Sequence, residues 1–382
     1  MRRNKVQDLR VSDYMSTDLV TASPDETIGD VLGRMRTNDI HEIPVLERKK
    51  LVGVVTMREL MRRKNLPPTS KVSKVTQVPP EVTPGMALPE CAERMIEAGF
   101  RAVPVVKGKG LVGIISRSDL VRALVEARAL EGLSVNEFMT PNPQAVGEND
   151  MIDAAVQLMA SLGERSIPVV DRHRHLKGVV GMKDIVDLFA KPKDREQYGE
   201  FVGREEKISI EVQSVMRYPP ITIGPDGDVH RVAELMAKSH VSSIIVTENE
   251  EPVGIITTKD LIQFLASLRE REQMFVEISG LEDEPQETYD EIYAVVQKEM
   301  RHIAQLVQPR TLSIHIQKYS PEGDRWKFSL RARFITSHRV YHIHHYDWDL
   351  HAALKGLLET LYKWILKEKE RKVTERKGHH SM

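Results

Sequence analysis

Four segments of the sequence carry side chains suited to binding a sugar phosphate. In each, a glycine is followed by an acidic residue six places on, and in three of them a hydroxyl residue stands three places after the glycine. These pairs are Thr56 with Glu59, Ser116 with Asp119, Gly181 with Asp184, where glycine stands in the hydroxyl position, and Thr257 with Asp260. A hydroxyl can bond a phosphate or ribose oxygen, and a carboxylate can accept both ribose hydroxyl protons. A helix starting at such a junction adds free backbone N–H groups for a phosphate.

Basic residues stand next to these junctions and could neutralise a phosphate. Arg58, Lys183 and Lys259 lie inside the junctions, and Arg101 and Arg165 precede the runs AVPVV and SIPVV. The complete hydroxyl and carboxylate pairs make the second and fourth junctions the strongest predicted sites, followed by the first and then the third. The competing interpretation is structural, because Ser, Thr and Asp at a helix start commonly cap its N–H groups.

The sequence carries no pattern typical of catalysis on a nucleotide. It has no glycine-rich phosphate loop with a lysine, no carboxylates at metal-ligand spacing and no nucleophile and base pair. Its one cysteine, Cys91, lies at helical spacing from Met95, which favours a core position over a reactive thiol. One cysteine can form neither an internal disulfide nor a cysteine zinc cluster. We therefore predict a non-enzymatic protein without a metal.

The four junctions belong to a repeat that fills the first 265 residues. HEIPVL and LVGVVTMREL recur as RAVPVV and LVGIISRSDL, as RSIPVV and LKGVVGMKDI, and as SSIIVT and PVGIITTKDL. The openings DYM, EFM and SVM mark three starts, and the second opening, SKVTQV, diverges. Each repeat predicts an opening segment, an amphipathic helix, two short strands and a second helix. A unit of about 60 residues buries too little surface alone, so each repeat should pair with a neighbour.

This pattern resembles the CBS domain, in which two repeats pack into a Bateman module. The resemblance implies two tandem α/β modules, repeats 1 and 2 over residues 1–126 and repeats 3 and 4 over residues 127–270. It also implies that the junction residues hold the ribose and phosphate of an adenine nucleotide, ATP, ADP or AMP, as a regulatory ligand. Bateman modules often pair face to face, so a homodimer is among the expected assemblies.

The composition changes after Leu268 and predicts a different domain over residues 274–375. Residues 274–382 hold 12 of the 20 Phe, Trp and Tyr residues and 9 of the 14 His. The apolar pattern predicts strands at 274–281, 310–320, 325–336 and 338–348, and helices at 285–307 and 347–372. The order is β-α-β-β-β-α, so we predict an α+β domain whose helices cover one face of a four-stranded sheet.

Strand parity gives the other face of this sheet polar side chains. They are His315, Gln317, Lys327, Ser329, Arg331, Arg333, His342 and His344. We expect this face to be open, and either simply solvated or used for RNA or for dimerisation. A metal site at the histidines is disfavoured, because no acidic or cysteine partner stands clearly beside them.

The last domain resembles the ribosome hibernation factors of bacteria and plastids in its opening VEISGL and its closing DWDLHAALKGLLETLYKWILKEKER. In that family, basic residues contact small-subunit rRNA where mRNA and tRNA would sit. The resemblance implies such contacts for Lys298, Arg301, Arg310, Lys318, Arg331, Arg333, Arg339, Lys355, Lys363 and Lys367. The predicted RNA surface also takes in His315, Lys327, His342 and His344 from the sheet face. The acidic segment 281–291 should point away from RNA.

Charge is unevenly distributed along the chain. The total of 55 basic and 56 acidic side chains, a net of −1, would by itself argue against nucleic acid. Residues 294–382, however, carry 17 basic and 9 acidic side chains, a net of +8, which seven acidic residues at 274–293 offset. No apolar run reaches the roughly 18–20 residues of a membrane span, and the N-terminus is not a secretory signal. We therefore predict a cytoplasmic protein without a membrane partner.

Together these features predict an adenine-nucleotide sensor that binds the small ribosomal subunit and silences translation. The alternative is a regulatory subunit that senses nucleotide through its CBS modules and docks on an enzyme or transporter through its last domain. A DNA-binding regulator is disfavoured, because the sequence shows no helix-turn-helix with a recognition helix. By resemblance, such a fusion looks archaeal.

Overall fold

The computed structural model of the chain describes residues 4–63, 66–162, 164, 166–182, 184–185, 210–269, 274–281, 286–319, 327–336 and 339–378. Arg165 and Lys183, both predicted to face a phosphate, lie outside the described residues. The chain forms two compact units. One contains Met1–Gly132, His230–Val241 and Thr257–Arg271, and the other contains Leu133–Val229, Ser242–Ile256 and Glu272–Met382.

Repeats 1 and 2 share one four-stranded sheet. After the short helices Asn4–Gln7 and Val11–Tyr14, repeat 1 has helix Ile28–Thr37, strands Glu42–Glu47 and Lys50–Thr56, and helix Met57–Arg62. Repeat 2 has the 3-10 turn Val72–Lys74, helix Leu88–Glu97, strands Ala102–Lys107 and Gly110–Ser116, and helix Arg117–Glu126. Each repeat contributes an antiparallel hairpin, and the second strands of the two hairpins meet where Lys50 pairs with Gly110.

Repeats 3 and 4 follow the same order of elements. Repeat 3 has helix Val135–Phe138, strands Thr140–Pro141 and Val146–Gly147, helix Ile152–Leu162, and strands Ser166–Val170 and Leu176–Gly181. Repeat 4 has the 3-10 turn Val212–Ser214, strand Thr222–Ile223, helix Val229–Ser239, strands Ser243–Glu248 and Glu251–Thr257, and helix Thr258–Ser267. The first strand of repeat 3 joins the sheet of repeat 4, pairing Thr140 with Ile255 and Pro141 with Gly254.

The repeated glycines leave room for the opening segment of another repeat. A Cβ atom on Gly113 would stand 2.6 Å from the sulfur of Met15, and one on Gly178 would stand 2.7 Å from the sulfur of Met216. The corresponding neighbours are Thr76 at Gly53 and Met139 at Gly254. Repeats 1 and 2 therefore exchange their openings, and repeats 3 and 4 do the same. The methionine of each motif, DYM, EFM or SVM, therefore packs against the repeated glycine of the partner repeat.

The last helix of repeat 4 packs inside the first compact unit. Helix Thr258–Ser267 lies against helix Leu88–Glu97 of repeat 2. Next to this contact, the Arg269 Nη1 atom lies 2.8 Å from the Glu93 Oε2 atom. The packing explains why nearly the whole surface of helix Thr258–Ser267 is buried.

The last domain has the predicted β-α-β-β-β-α order. Its elements are strand Phe275–Ser279, helix Gln286–Ala304, strands Pro309–Tyr319, Lys327–Thr336 and Val340–Asp347, and helix Leu350–Gly378. The strands pair in chain order, the first pair parallel and the others antiparallel. Asp349 caps the last helix, since its carboxylate accepts the Ala352 N–H at 2.8 Å.

The core of this domain lies between the sheet and the two helices. Leu330, Ala332 and Phe334 alternate toward it along one strand, as the sequence predicts. The predicted helix stripe is also there, with Ile292 and Val296 fully buried. The predicted mixture of α/β repeats and an α+β last domain is confirmed.

Among the helices of the described residues, none combines the length and the apolar character that a membrane crossing requires.

Candidate functional site

The junction of repeat 2 forms a reciprocal helix cap. The Ser116 hydroxyl donates to the Asp119 Oδ2 atom at 2.7 Å and accepts the Asp119 N–H at 3.3 Å, and the Ser116 N–H donates to the same carboxylate at 2.9 Å. The other carboxylate oxygen lies 3.1 Å from Arg122, whose guanidinium also donates to the Tyr14 carbonyl. Ser116 and Asp119 stay half-buried, so this polar pair is accessible at the start of a helix.

The junction of repeat 4 has the same cap in a less accessible setting. The Thr257 hydroxyl and N–H donate to the Asp260 Oδ2 atom at 2.8 and 2.6 Å. Both residues are buried, each about 8% exposed, whereas Lys259 between them is half-buried. The sequence ranks the second and fourth junctions together, and burial separates them.

The junction of repeat 1 is held by a side chain from repeat 2. The Thr56 hydroxyl accepts the Glu59 N–H at 3.1 Å and caps helix Met57–Arg62. Gln77, from the opening of repeat 2, donates to the Glu59 Oε2 atom at 3.4 Å. Arg63 forms an ion pair with the Glu59 Oε1 atom. Arg58 is exposed.

The junction of repeat 3 uses glycine as a cap residue. The Gly181 N–H donates to the Asp184 Oδ2 atom at 2.8 Å, and Arg217, from the opening of repeat 4, donates to the Oδ1 atom at 2.8 Å. The missing hydroxyl removes both a donor to the Asp184 carboxylate and the side-chain acceptor that Ser116 and Thr257 provide, so only the backbone half of the cap is made. Arg217 thus pairs with the second carboxylate oxygen, as Arg122 does at the junction of repeat 2.

A hydroxyl thus caps the helix at the junctions of repeats 1, 2 and 4, whereas repeat 3 makes only the bond from its backbone N–H to the carboxylate. The side-chain partners of the four carboxylates differ. Sequence reasoning missed Gln77, Arg122 and Arg217, which bond to the capping carboxylates. Gln77 and Arg217 come from the openings of other repeats, and for Arg217 the recurring motif SVM directly before it was the available signal. The backbone of Arg101 lies beside the junction of repeat 2. Its N–H donates to the Glu42 carboxylate at 3.2 Å, and its carbonyl accepts the Arg117 N–H at 2.8 Å.

Tyr14 borders the accessible junction of repeat 2. Its hydroxyl donates to Glu126 at 2.9 Å, and Arg122 lies 5.8 Å from its ring centroid. Burial raises the pKa of Tyr14 to about 12, and the bond to Glu126 contributes to the same shift. The phenol therefore stays protonated and acts as a donor at neutral pH.

One end of the polar sheet face in the last domain is covered, which corrects the prediction of an open face. The Arg333 guanidinium carbon lies 4.7 Å from the ring centroid of Phe138, and its Nη2 atom donates to the Phe138 carbonyl at 3.4 Å. The His342 Nε2 atom lies 3.3 Å from the same carbonyl. Arg333 is 6% exposed, so the prediction that it faces RNA is wrong. Phe138 comes from the opening of repeat 3, far away in sequence.

The other end of this face is open and carries both cations and aromatic rings. The Lys327 ammonium lies 4.1 Å from the Tyr346 ring centroid and 5.9 Å from the Trp348 ring. Tyr346 and Trp348 are more than half exposed. Arg331 is half-buried in the row between Lys327 and Arg333. We call Lys327, Arg331, Tyr346 and Trp348 the open sheet patch.

The histidines of this face have separate partners. The His344 Nε2 atom lies 2.9 Å from the Ser329 hydroxyl, and the His315 Nδ1 atom lies 3.1 Å from the Ser279 hydroxyl. Burial lowers the pKa of His344, and the nearby Arg331 and His345 lower it further. These effects favour the neutral form of the His344 ring.

The remaining residues of the predicted RNA set lie elsewhere in the domain. Exposed positions on the two helices, which cover the opposite face of the sheet, are Lys298, Arg301, Lys355, Lys363 and Lys367. Lys318 is exposed and its ammonium lies 5.9 Å from the Phe328 ring. Arg339 lies 3.0 Å from the Glu368 carboxylate, and Arg310 is half-buried. The predicted set therefore spans two opposite surfaces of one domain.

The geometry defines a protein built from paired βα repeats that exchange their openings. A model of the CBS domain family matches residues 11–65, 72–126, 135–191 and 212–267, more than half of the chain. The protein therefore belongs to the CBS domain family. The matched segments end at residue 267, so the resemblance of the last domain to hibernation factors stays a prediction.

Similar proteins come from archaea and bacteria. An uncharacterized protein of Methanocaldococcus jannaschii is 26% identical over 338 residues, 87% of this chain and 79% of its own length, so the match extends into the last domain. A CBS domain-containing protein of Bacillus subtilis is 31% identical over 116 residues, 29% of this chain and 81% of its own length. The crystal structure of a candidate archaeal homolog of g-AMPK from M. jannaschii covers 68% of this chain and all of its own, with a TM-score of 0.57 and 20% identity, which shows a shared fold.

Proposed function

We propose that the protein is a non-enzymatic regulator that binds an adenosine-containing ligand, of the ATP, ADP or AMP class, at its repeat junctions. Membership of the CBS family supports this proposal, because pairs of CBS repeats typically bind such ligands. Ligand binding at the repeats would then change how the last domain binds its partner.

The observation that carries the proposal is the accessible junction of repeat 2. Ser116 and Asp119 place a hydroxyl and a carboxylate at the N-terminal end of helix Arg117–Glu126. The Asp119 Oδ1 atom has an exposed arginine as its partner, so ribose hydroxyls can replace that ion pair at small cost.

Phe138 offers a physical route from the repeats to the last domain. Its neighbours Met139 and Thr140 contact Gly254 and Ile255, in the strand that leads into the cap at Thr257. A ligand that binds at the junction of repeat 4 and displaces this strand would move Phe138 against the sheet of the last domain. Regulation requires that the ligand bind the two arrangements with different affinity.

Calorimetric titration of the full chain with ATP, ADP and AMP tests ligand binding. We expect at least one nucleotide to bind, and Asp119→Asn to weaken it at least about tenfold, since a bond to a charged group contributes about 1.5–3 kcal/mol. Asparagine keeps a side-chain oxygen that can accept the Ser116 N–H, so the variant should fold. Asp150→Asn is the matched control, because Asp150 accepts the Gly147 N–H at 2.7 Å outside the junctions. Failure of all three nucleotides to bind, or equal weakening by both variants, would contradict the proposal.

A second proposal concerns the partner of the last domain. The open sheet patch combines cations, which neutralise phosphates, with exposed rings, on which bases stack. We propose that this patch binds small-subunit rRNA and that the protein silences translation as a hibernation factor. The rival role, a regulatory subunit docked on an enzyme or transporter, predicts a protein complex that survives nuclease and high salt.

Co-sedimentation with purified small ribosomal subunits tests the ribosomal proposal. The full chain should pellet with the subunits at low salt, and the bound fraction should change when nucleotide is added. Lys327→Glu with Arg331→Glu should abolish pelleting, whereas Lys363→Glu with Lys367→Glu, the same charge change on the helix layer, should not. An unbound full chain at low salt would exclude the ribosomal partner and leave nucleotide sensing untouched.

A further inference from the structure

The hairpin tips of repeats 1 and 2 lie together at the middle of their shared sheet. Glu47 pairs with Lys50 to close the first hairpin, and Lys107 pairs with Gly110 to close the second. Lys50 also pairs with Gly110, which joins the two hairpins next to their turns. Two tips that are about 60 residues apart in sequence therefore form one surface.

This surface is strongly basic. Its cations are Arg48, Lys49, Lys50, Lys107 and Lys109, all of them exposed, and we call them the basic tips. Glu47 is the acidic residue of the same turns. Within the described part of the chain, none of the ion pairs involves the basic tips. The like charges therefore repel one another without internal compensation.

Repeat 4 shows that the fold does not require this charge. Its hairpin has the same two-residue turn, with Asn249 and Glu250 at positive φ where repeat 1 has Arg48 and Lys49. The repeat 4 turn is acidic, with Glu248, Glu250 and Glu251 exposed. In repeat 1 the left-handed turn positions, which favour Asn and Gly, are occupied by two cations instead. The turn geometry therefore does not require the positive charge.

The chemistry of the basic tips points to phosphate. Interfaces with proteins are depleted in lysine and depend on buried aromatic anchors, and the basic tips are lysine-rich with no aromatic residue in either turn. Sequence-independent contacts to a nucleic-acid backbone are made by such lysines. We propose that the basic tips bind the phosphate backbone of a nucleic acid. This surface belongs to the repeats, and its role does not depend on the open sheet patch.

The test measures fluorescence anisotropy of a labelled 24-nucleotide single-stranded RNA, and of the matching duplex, with the full chain at several salt concentrations. Lys49→Ala with Lys109→Ala should weaken binding at low salt and reduce the slope of log affinity against log salt by about 1.4–1.8, since each phosphate contact contributes about 0.7–0.9. Lys74→Ala with Lys238→Ala is the control, because it removes the same charge at exposed positions of other elements.

The proposal is overturned if the two double variants lose affinity equally, or if the tip variant binds both RNAs as the unaltered chain does. Unchanged thermal melting of the tip variant shows that the fold is intact. The outcome is separable from the ribosomal proposal, because naked RNA is the probe and the open sheet patch is intact in both variants.

Discussion

The central guanidinium carbon of Arg333 lies 4.7 Å from the ring centroid of Phe138, a residue 195 positions earlier in the sequence. An arginine over an aromatic ring is attracted by the negative charge of the ring face, more strongly where water is excluded. Phe138 and Arg333 are both nearly fully buried. This contact ties the last domain to the opening of repeat 3.

Removal of the Phe138 ring should loosen the last domain. We expect Phe138→Ala to destabilise the protein by about 3–5 kcal/mol, because a buried ring is lost and a cavity remains. Hydrogen exchange should rise in strand Val340–Asp347, which carries His342. The exposed Tyr346 provides the control, and Tyr346→Ala should change stability by no more than about 0.5 kcal/mol. Equal denaturant midpoints for the two variants would contradict a structural role for Phe138.

Two glycine-to-alanine substitutions should change the stability of the protein in opposite directions. A Cβ on Gly178 would stand 2.8 Å from the Arg217 carbonyl oxygen, a backbone atom that cannot swing away, so Gly178→Ala should cost about 1–3 kcal/mol. A Cβ on Gly33, inside helix Ile28–Thr37, would meet nothing within 4 Å. Gly33→Ala should therefore stabilise the protein by up to about 1 kcal/mol. Thermal melting of both variants measures the difference, and destabilisation by Gly33→Ala would refute the account.

Cys91 should be inert in the folded protein. It is fully buried, and burial raises the pKa of its thiol to about 12. The thiolate, which is the reactive form, is therefore nearly absent at pH 8. A chromogenic disulfide reagent should label the native chain far more slowly than the chain in guanidinium chloride. Rapid labelling of one thiol per native chain would show that this core position opens.

The titration of His344 should make stability fall in acid. Burial, and then Arg331, lower its pKa below the ordinary value near 6.5. The unfolded chain then binds more protons than the folded one, so this contribution is complete above about pH 6.5 and is lost as the pH falls through the depressed pKa. NMR titration of labelled histidines should show this low value, with His344→Gln identifying the signal. Arg331→Ala should raise the pKa of His344, and an unchanged value would remove Arg331 as a cause.

Much of the fold can be predicted from the sequence, because its signals are local. Alternation along RWKFSLRARFIT places Leu330, Ala332 and Phe334 on one face, and the apolar stripe of the following helix completes that core. The hydroxyl and acid spacing after each glycine predicts a helix cap, which needs only residues three places apart. These features depend on neighbours in the chain, so the order of residues is sufficient to predict them.

The surfaces that meet across long separations could not be predicted in this way. Sequence parity makes Arg333 and Arg331 equivalent outward-facing cations, yet Arg333 is buried against Phe138 whereas Arg331 stays half-buried. Met15 and Gly113 are visible as separate motifs, and only the packing of repeats 1 and 2 makes them one contact. The basic tips become a surface because Lys50 pairs with Gly110. The periodicity of the sequence predicts which face of a helix or strand is apolar. Which other element packs against that face depends on the tertiary structure, because residues far apart in the chain must come together there.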